Sequence, residues 1–276
     1  MFASLLVGLD GSPDARAALD AAIALGRRFA STIVVAAVVD VRVLEAPLLE
    51  GAGTGWPEAL MGTPAASLEL GAVLRERADR LIAEGAERVR AAGLAVQTAR
   101  AMGLVEEELL ALAESTEALV VGRRGDLRGG DALGAHTVKL VRRAPRPVVV
   151  AGGAGSDFGH PVVAYDGGET SSAALTLAAR YAAAAAVPLD IVHVSEGDEG
   201  LLAKAEAFLS RTSVTCQTHL LSGDVVEAIA GFVNRTAADA VVCGAHHGGR
   251  RRRSWSIGSH TEALLSATAV PTIVVR

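Results

Sequence analysis

The sequence predicts an α/β fold made of two tandem, doubly wound domains, each built on a five-stranded parallel sheet. Half of the 276 residues are hydrophobic but only 3% are aromatic, which suits Ala-rich helices packed on Val-rich strands. Short apolar runs alternate with helical patterns, as in sheets whose parallel strands are joined by right-handed crossovers. The same series of elements occurs twice, and the length of the chain also favours two domains.

The first half starts with an apolar run that ends in Asp10, Gly11 and Ser12, followed by a helical pattern through Phe29. Later strands are expected at 33–39, 94–99, 118–122 and 147–150, and later helices at 68–92, at 105–115 and around Val138. This order alternates strand and helix through five steps.

The series restarts at Gly159, and Asp166 takes the place of Asp10. Strands are expected at 161–165, 189–194, 214–221, 240–244 and 271–275, with helices through Ala186 and between 226 and 233. The Gly-rich stretch between the halves reads as a linker. We therefore expect domains at 1–151 and 159–276, joined by residues 152–158.

The stretch from Asp10 to Gly122 in the first half is about 34 residues longer than the equivalent stretch from Asp166 to Gly244 in the second half. We expect the excess between the second strand and the second helix, where residues 45–66 contain several Gly and Pro residues and Trp56. A surface insertion and a ligand lid are both open interpretations of this segment.

Charge and cysteine content exclude several classes of function. The net charge of −5 gives no basic surface for nucleic acid or anionic membranes. Cys216 and Cys243 fit neither a disulfide framework nor a metal-ligand pattern, as expected in a reducing cytosol. The N-terminus lacks the features of a signal peptide, and the longest apolar run is too short to span a bilayer. These features predict a soluble, cytoplasmic protein.

A ligand crevice is expected where the strand order reverses, beyond the carboxyl ends of the strands. Asp10 and Asp166 end the first strand of their halves, and Gly-rich segments at 122–134 and 244–258 follow the fourth. Glycine lets the backbone approach a phosphate, and free amide groups where a helix begins, at Gly258 and Ser259, attract an anion. An ordinary surface loop is the alternative interpretation of these glycines.

Together these residues resemble the universal stress protein family, whose nucleotide-binding members carry Gly-x-x-Gly, nine residues and then Gly-Ser or Gly-Thr, after a first strand that ends in Asp. The resemblance covers essentially the whole chain and implies a Rossmann-like fold that binds ATP. Mg²⁺ could arrive with the nucleotide, since phosphates and water can largely hold it. It implies that Asp10 or Asp166 binds the adenosine portion and that the backbone near Val39 or Val194 contacts adenine. The phosphates would lie on the glycine loops, at Gly122, Gly125, Gly134, Gly244, Gly248, Gly258 and Ser259.

Each half departs from the family pattern in its own way. In the first half, eight residues separate Gly125 from Gly134, and Ala135 replaces the hydroxyl residue. In the second half, three residues rather than two separate Gly244 from Gly248, and Gly168 stands where the opening motif has Ser. We therefore expect at least one intact nucleotide site rather than two.

The remaining motifs favour binding over catalysis. No P-loop, nucleophile elbow or Gly-x-Gly-x-x-Gly follows a suitable strand. His246, His247 and His260 lack the partners of a metal site. The run from Arg250 to Arg253 could contact phosphates, an acidic partner or solvent.

Three functions stay open: a nucleotide-dependent stress or signalling module, a nucleotide-independent dimeric scaffold, and a slow ATP hydrolase using His136 and His260. The family resemblance also implies that last strands pair across a dimer. The chain would then form an internal pseudo-dimer through 147–150 and 271–275, or a homodimer of tandem chains.

Overall fold

The computed structural model describes residues 1–45, 64–125, 133–153, 155–197, 200–245 and 258–276. The first half alternates strands and helices as the sequence predicts. Its elements are β1 (Ser4–Gly8), α1 (Pro13–Phe29), β2 (Thr32–Asp40), α2 (Val41–Glu45), α3 (Pro64–Ala91), β3 (Val96–Gly103), α4 (Val105–Ala113), β4 (Ala118–Val121), α5 (Ala135–Arg143) and β5 (Val148–Val150). The short helix α2 is an addition to the predicted set, and β3 continues to Gly103 rather than ending at residue 99.

The second half repeats this order. Its elements are β6 (Pro161–Ala164), α6 (Glu169–Ala185), β7 (Leu189–Val194), α7 (Gly200–Leu209), β8 (Cys216–Leu221), α8 (Val225–Arg235), β9 (Ala240–Gly244), α9 (Ser259–Ala267) and β10 (Thr272–Val275). Helix α7 was not identified in the sequence pattern, because its ten residues carry only a weak apolar stripe.

The difference in length between the halves has two sources. Helix α3 has 28 residues and its counterpart α7 has 10, so the helix itself accounts for about half of the excess. The expectation that all of the excess lies before the second helix is therefore wrong. The rest of the predicted insertion, including Trp56, lies in residues 46–63, outside the described residues.

Local signals at the start of α1 explain why the chain turns from strand to helix there. The Ser12 hydroxyl accepts a hydrogen bond from the Ala15 amide at 3.0 Å, which caps the helix. Pro13 occupies the first turn, where its missing N–H costs nothing, and Asp14 complements the positive end of the helix dipole. The carboxyl end of β1 is thereby connected directly to the amino end of α1.

All ten strands form one sheet in the order β3-β2-β1-β4-β5-β10-β9-β6-β7-β8. Neighbouring strands are parallel within each half, and the two halves meet where β5 pairs antiparallel with β10, with Val149 opposite Ile273. The predicted α/β class is confirmed, and so is the pairing of the last strands within the chain. No helix among the described residues is both long and apolar enough to span a lipid bilayer.

Helices cover both faces of the sheet. On one face α1, α6 and α7 pack on a buried cluster that includes Leu5 and Val163, and on the other α4, α5, α8 and α9 pack on a cluster that includes Leu6 and Val162. Both clusters contain residues of both halves, so the core is continuous across the β5–β10 junction.

Candidate functional site

Both ligand crevices are predicted beyond the carboxyl ends of the central strands. Strand β1 lies between β2 and β4, and β6 lies between β7 and β9, so the strand order reverses beside each of them. Asp10 follows β1 by two residues, and Asp166 follows β6 by two residues. Each acid therefore lies at the switch point of its half, where open parallel sheets bind ligands.

In the first half, Asp10 holds the turn into α1. Its Oδ1 accepts a hydrogen bond from the Ser12 amide at 2.9 Å, and its carbonyl oxygen accepts one from Arg77 Nη2 at 3.0 Å. A methyl group added at Gly125 would lie 3.1 Å from Asp10 Oδ2. The fold thus brings Asp10 and the predicted glycine loop together, although they are far apart in the sequence.

In the second half, Asp166 forms a related turn. Its Oδ1 accepts hydrogen bonds from the Gly168 amide at 2.8 Å and from the Ser171 hydroxyl. Ser171 is buried, and its hydroxyl oxygen also lies 3.1 Å from the Gly168 carbonyl oxygen. Sequence reasoning missed Ser171, whose only signal is a hydroxyl in the first turn of a helix that has glycine as its N-cap.

The glycines that end the fourth strands allow close packing against the helix of the first crossover. A methyl group at Gly122 would lie 2.6 Å from the backbone carbonyl carbon of Asp14. At the equivalent Gly244 it would lie 2.8 Å from the amide nitrogen of Ser171. Real side chains do not approach a backbone that closely, so only glycine fits at these two positions.

Two hydrogen bonds close the base of the second-half loop. The Gly258 amide donates to the Ala245 carbonyl at 3.0 Å, and the buried Thr261 hydroxyl donates to the Gly244 carbonyl at 3.0 Å. Thr261 lies in the first turn of α9, so the end of β9 is fixed to the start of this helix. The interior of the loop, with Gly248 and the arginine run, lies in residues 246–257, outside the described residues.

The first-half loop is closed in the same way. The Gly134 amide donates to the Arg123 carbonyl at 2.8 Å, and the Thr137 hydroxyl donates to the Gly122 carbonyl at 2.9 Å. Residues 126–132 of this loop lie outside the described residues. Neither threonine was singled out in the sequence, because each is defined by a contact with a distant strand.

Glycine N-caps leave the amino ends of α5 and α9 without a capping side chain. Gly134 and Gly258 occupy the N-cap positions and make no side-chain cap. The first amide groups of a helix otherwise depend on such a cap, on water or on a ligand. Ser259, the first residue of α9, is exposed and carries a hydroxyl, whereas Ala135 begins α5. The second half therefore offers one more donor at this end than the first.

Arg123 and Arg124, at the start of the first-half loop, have protein partners. The Arg124 amide donates to Asp14 Oδ2 at 2.9 Å, and its Nε donates to the same oxygen at 3.1 Å. Arg123 reaches across to the second half, where its Nη2 donates to the Thr268 carbonyl. Burial lowers the pKa of Arg123 and nearby Asp14 opposes this effect. These contacts tie the first-half loop to α1 and to the other half.

The strand position predicted to contact adenine differs between the halves. The two halves can be aligned by strand pairing: Gly8 lies opposite Ala36, and the equivalent Ala164 lies opposite Val192. In this alignment, Val38 rather than Val39 is the equivalent of Val194. Val38 and Val194 both pack on the face covered by α4 and α8, whereas Val39 packs on the other face beside Ile82. Adjacent valines in a continuous apolar run do not reveal this one-residue offset.

An ionic network unique to the first half surrounds Glu106, whose side chain is only 5% exposed. Lys139 Nζ donates to Glu106 Oε1, His136 Nδ1 lies 3.3 Å from the same oxygen, and Arg42 Nη2 lies 3.7 Å from Oε2. Burial raises the pKa of Glu106, but the hydrogen bond from Lys139 and the neighbouring positive charges outweigh it and keep the pKa below its ordinary value. The equivalent of Glu106 in α8 is Val226, so the second half cannot form this network.

Replacing Glu106 with glutamine is expected to destabilise the protein at neutral pH by about 1–3 kcal/mol, since the cations lose a buried charged acceptor. A carboxyl whose pKa is lowered by folding contributes stability above its unfolded pKa, near 4.5, and this contribution is lost as the pH falls through the folded pKa. The free energy of unfolding, measured with urea, should therefore fall more on acidification for the wild type than for Glu106→Gln. Glu107→Gln, which removes an exposed partner of Arg143, is the matched control and should have a smaller effect.

A cavity of about 660 Å³ lies away from both crevices, between α1 and α3, and its lining includes Arg27, Arg28 and Arg88. Arg28 and Arg88 already contact Asp157 and Asp20 there. Among the described residues, no group of three or more His, Cys, Asp or Glu side chains is arranged to hold a metal ion.

Comparison with known proteins yields a full-length curated relative. Universal stress protein Slr1230 of Synechocystis sp. is 27% identical over 286 residues, and the alignment covers 99% of both chains.

Solved structures of similar proteins share the fold. A universal stress protein from Archaeoglobus fulgidus DSM 4304 aligns over 100% of this chain and 99% of its own, with a TM-score of 0.77 and 20% identity. A putative universal stress protein from Pseudomonas aeruginosa UCBPP-PA14 covers 99% of this chain and 93% of its own, with a TM-score of 0.63 and 18% identity. The model of the universal stress protein family matches residues 1–152 and 197–276. The chain belongs to the universal stress protein family.

Proposed function

We propose that this protein binds an adenine nucleotide, preferentially ATP, in the second-half crevice. Nucleotide binding then alters the conformation of the surrounding loop, and protein partners recognise the altered loop. One observation carries the proposal: contacts connect Asp166 to the start of α9. Asp166 accepts from Ser171, Ser171 packs against Gly244, and the Gly244 carbonyl accepts from Thr261 in the first turn of α9. These contacts link a carboxylate to a helix terminus that has no side-chain cap, which supports one shared crevice for the ligand.

Each end of this crevice suits one part of the ligand. The Asp166 carboxylate is an acceptor for ribose hydroxyl groups, and the backbone at Val194 offers peptide groups to the adenine edge. Gly258 and Ser259 present amide groups, a hydroxyl and the positive end of the α9 dipole to the phosphates. Mg²⁺ accompanying ATP would be held mainly by phosphates and water. Gly244 and Gly248 complete the proposed loop.

The first half contains the same elements in a different electrostatic setting. Asp10 follows β1, Gly122 and Gly125 follow β4, Gly134 precedes α5, and β2, which contains Val39, lies next to β1 in the sheet order. Arg124 is engaged by Asp14, whose negative charge opposes a phosphate at this loop. We therefore propose the second half as the principal site and the first half as the weaker one.

A nucleotide-independent scaffold is the second candidate. It is favoured by Gly122 and Gly244, whose lack of a side chain is already required by packing against α1 and α6. On this account the glycines serve the fold, and the continuous ten-stranded sheet presents surfaces to partners without any ligand.

Isothermal titration of ATP into the wild type, Asp166→Ala and Asp10→Ala distinguishes these candidates. Removing the Asp166 carboxylate is expected to weaken ATP binding by about tenfold or more, the value of a hydrogen bond to a charged group. Asp10→Ala is the matched control in the first half and should leave the tighter binding event unchanged.

Cooperative thermal unfolding of each variant shows that it is folded. A wild type that retains no ATP at millimolar concentration would reject the proposal in favour of the scaffold. Equal affinities of the wild type and Asp166→Ala would place the nucleotide elsewhere.

We further propose a cytoplasmic location, for which Cys216 and Cys243 offer support because both are free thiols. A homodimer of tandem chains is the proposed assembly, beyond the pairing of β5 with β10 inside each chain.

A further inference from the structure

Arg123 leaves the first half and binds the end of a helix in the second. It lies two residues after β4, at the start of the first-half loop. Its Nη2 donates to the carbonyl oxygen of Thr268 and lies 3.5 Å from that of Val270, about half the chain away in sequence. Thr268 is the C-cap residue of α9, so a first-half guanidinium holds the carboxyl end of this helix.

Helix α9 has no cation of its own at that end. Its last turn contains no basic residue, whereas the equivalent helix α5 ends with Arg142 and Arg143. Carbonyl groups at a helix carboxyl terminus carry partial negative charge and are stabilised by a nearby cation. Arg123 supplies that cation from the other half of the chain.

The arrangement is not reciprocal. Ala245 occupies the position of Arg123 after β9, so the second half has no guanidinium there to offer α5. Among the described residues, the first half therefore supports α9 in a way that the second half does not repeat for α5. An internal pseudo-dimer with identical halves would have both contacts or neither.

The two ends of α9 are close enough for a shift at one end to move the other. The helix has nine residues and is about 13 Å long. Its amino end is held by Gly258 and Thr261, and Arg123 holds its carboxyl end. Hydrogen bonds from amides to oxygen acceptors have donor–acceptor distances of about 2.7–3.2 Å and weaken steeply when the angle at the hydrogen falls below about 120°, so a small displacement of the helix alters anion binding.

We propose that Arg123 is a positioning residue for the phosphate end of the second-half site: it anchors α9 so that the amides of the first turn meet the polyphosphate. This inference rests on the proposed function. It adds a coupling between the halves, because a change in the first half that withdraws Arg123 from Thr268 weakens phosphate binding in the second half, and a coupling between two binding sites is reciprocal.

The test compares ATP with adenosine in the full chain carrying Arg123→Met, which keeps an apolar stem and removes the guanidinium. Titration calorimetry is expected to give an ATP affinity about five- to tenfold weaker, the typical size of a coupling between sites. Adenosine, which has no phosphates, should bind within about twofold of the wild type. Arg123→Lys should recover part of the ATP affinity, because it restores the charge without the fork geometry.

Arg146→Met is the matched control, since Arg146 is an exposed first-half arginine that donates to the Glu114 carbonyl at 3.2 Å and lies outside the proposed site. It should leave both affinities unchanged. Hydrogen exchange provides a readout without ligand: amides of 259–267 should exchange faster in Arg123→Met, and those of 135–143 should not.

An equal loss of ATP and adenosine affinity in Arg123→Met, or unchanged ATP affinity, would overturn the inference while leaving the proposed function intact. A wild type that binds neither ligand would overturn both. If Arg123→Met does not fold, the Arg123→Lys variant decides: a selective loss of ATP affinity supports the inference, and wild-type affinity contradicts it.

Discussion

Gly152→Ala is expected to lower the thermal stability of the whole chain, because the added methyl group collides with the other half. It would lie 2.1 Å from the carbonyl oxygen of Ala269 and 2.5 Å from the carbonyl carbon of Val270. Both are backbone atoms, so relief requires moving the α9–β10 connection rather than rotating a side chain. Overpacking of this kind costs about 1–3 kcal/mol or more, which for a chain of this size lowers the melting temperature by roughly 2–4 °C per kcal/mol.

Gly153→Ala is the matched control, one residue away in the same linker. No described atom lies within 4 Å of the methyl group it would add, and Gly153 does not occupy the left-handed region. Its melting temperature should equal that of the wild type or lie slightly above, since alanine reduces the freedom of the unfolded chain. Differential scanning calorimetry of the wild type, Gly152→Ala and Gly153→Ala measures the three melting temperatures. Equal melting temperatures would contradict the close packing of the halves at Gly152.

Gly244→Ala is expected to reduce both stability and ATP affinity. The added methyl group would lie 2.8 Å from the amide nitrogen of Ser171 and 2.4 Å from Thr170 Oγ1. The end of β9 and the start of α6 must then move apart, at a cost of about 1–3 kcal/mol. This movement displaces Ser171, which donates to Asp166, and the Gly244 carbonyl, which accepts from Thr261.

Urea unfolding measures the first effect of Gly244→Ala and ATP titration the second, with Gly153→Ala as the control for both. An ATP affinity about tenfold or more below that of the wild type is expected. A destabilised protein with wild-type ATP affinity would separate the packing role of Gly244 from the proposed site and favour the scaffold.

Local sequence signals predicted the fold well because most elements carry their own signal. Ser12 and Pro13 mark the start of α1, and buried strands appear as continuous runs of β-branched and aliphatic residues. The repeated order then predicts parallel sheets and, with the family resemblance, the pairing of β5 with β10. Helix α7 was missed, since its weak apolar stripe leaves little local evidence, whereas α3 was predicted at 68–92 and lies at Pro64–Ala91.

The candidate site was predictable only in outline. The acids and glycines were identified from their positions after strands, but Ser171, Thr137 and Thr261 act through contacts with residues that are distant in the sequence or in another element. The role of Arg123 is further removed, because its partner Thr268 lies in the other half. Such pairings depend on how the two repeats pack, and no local pattern encodes that.

The most direct measurement is a crystal structure of the full chain with a non-hydrolysable ATP analogue. We expect the adenosine beside Asp166 and the phosphates within hydrogen-bond distance, about 2.7–3.2 Å, of the amides at the start of α9. An analogue bound instead in the cavity lined by Arg27, Arg28 and Arg88, or absent from the second-half crevice at saturating concentration, would contradict the account.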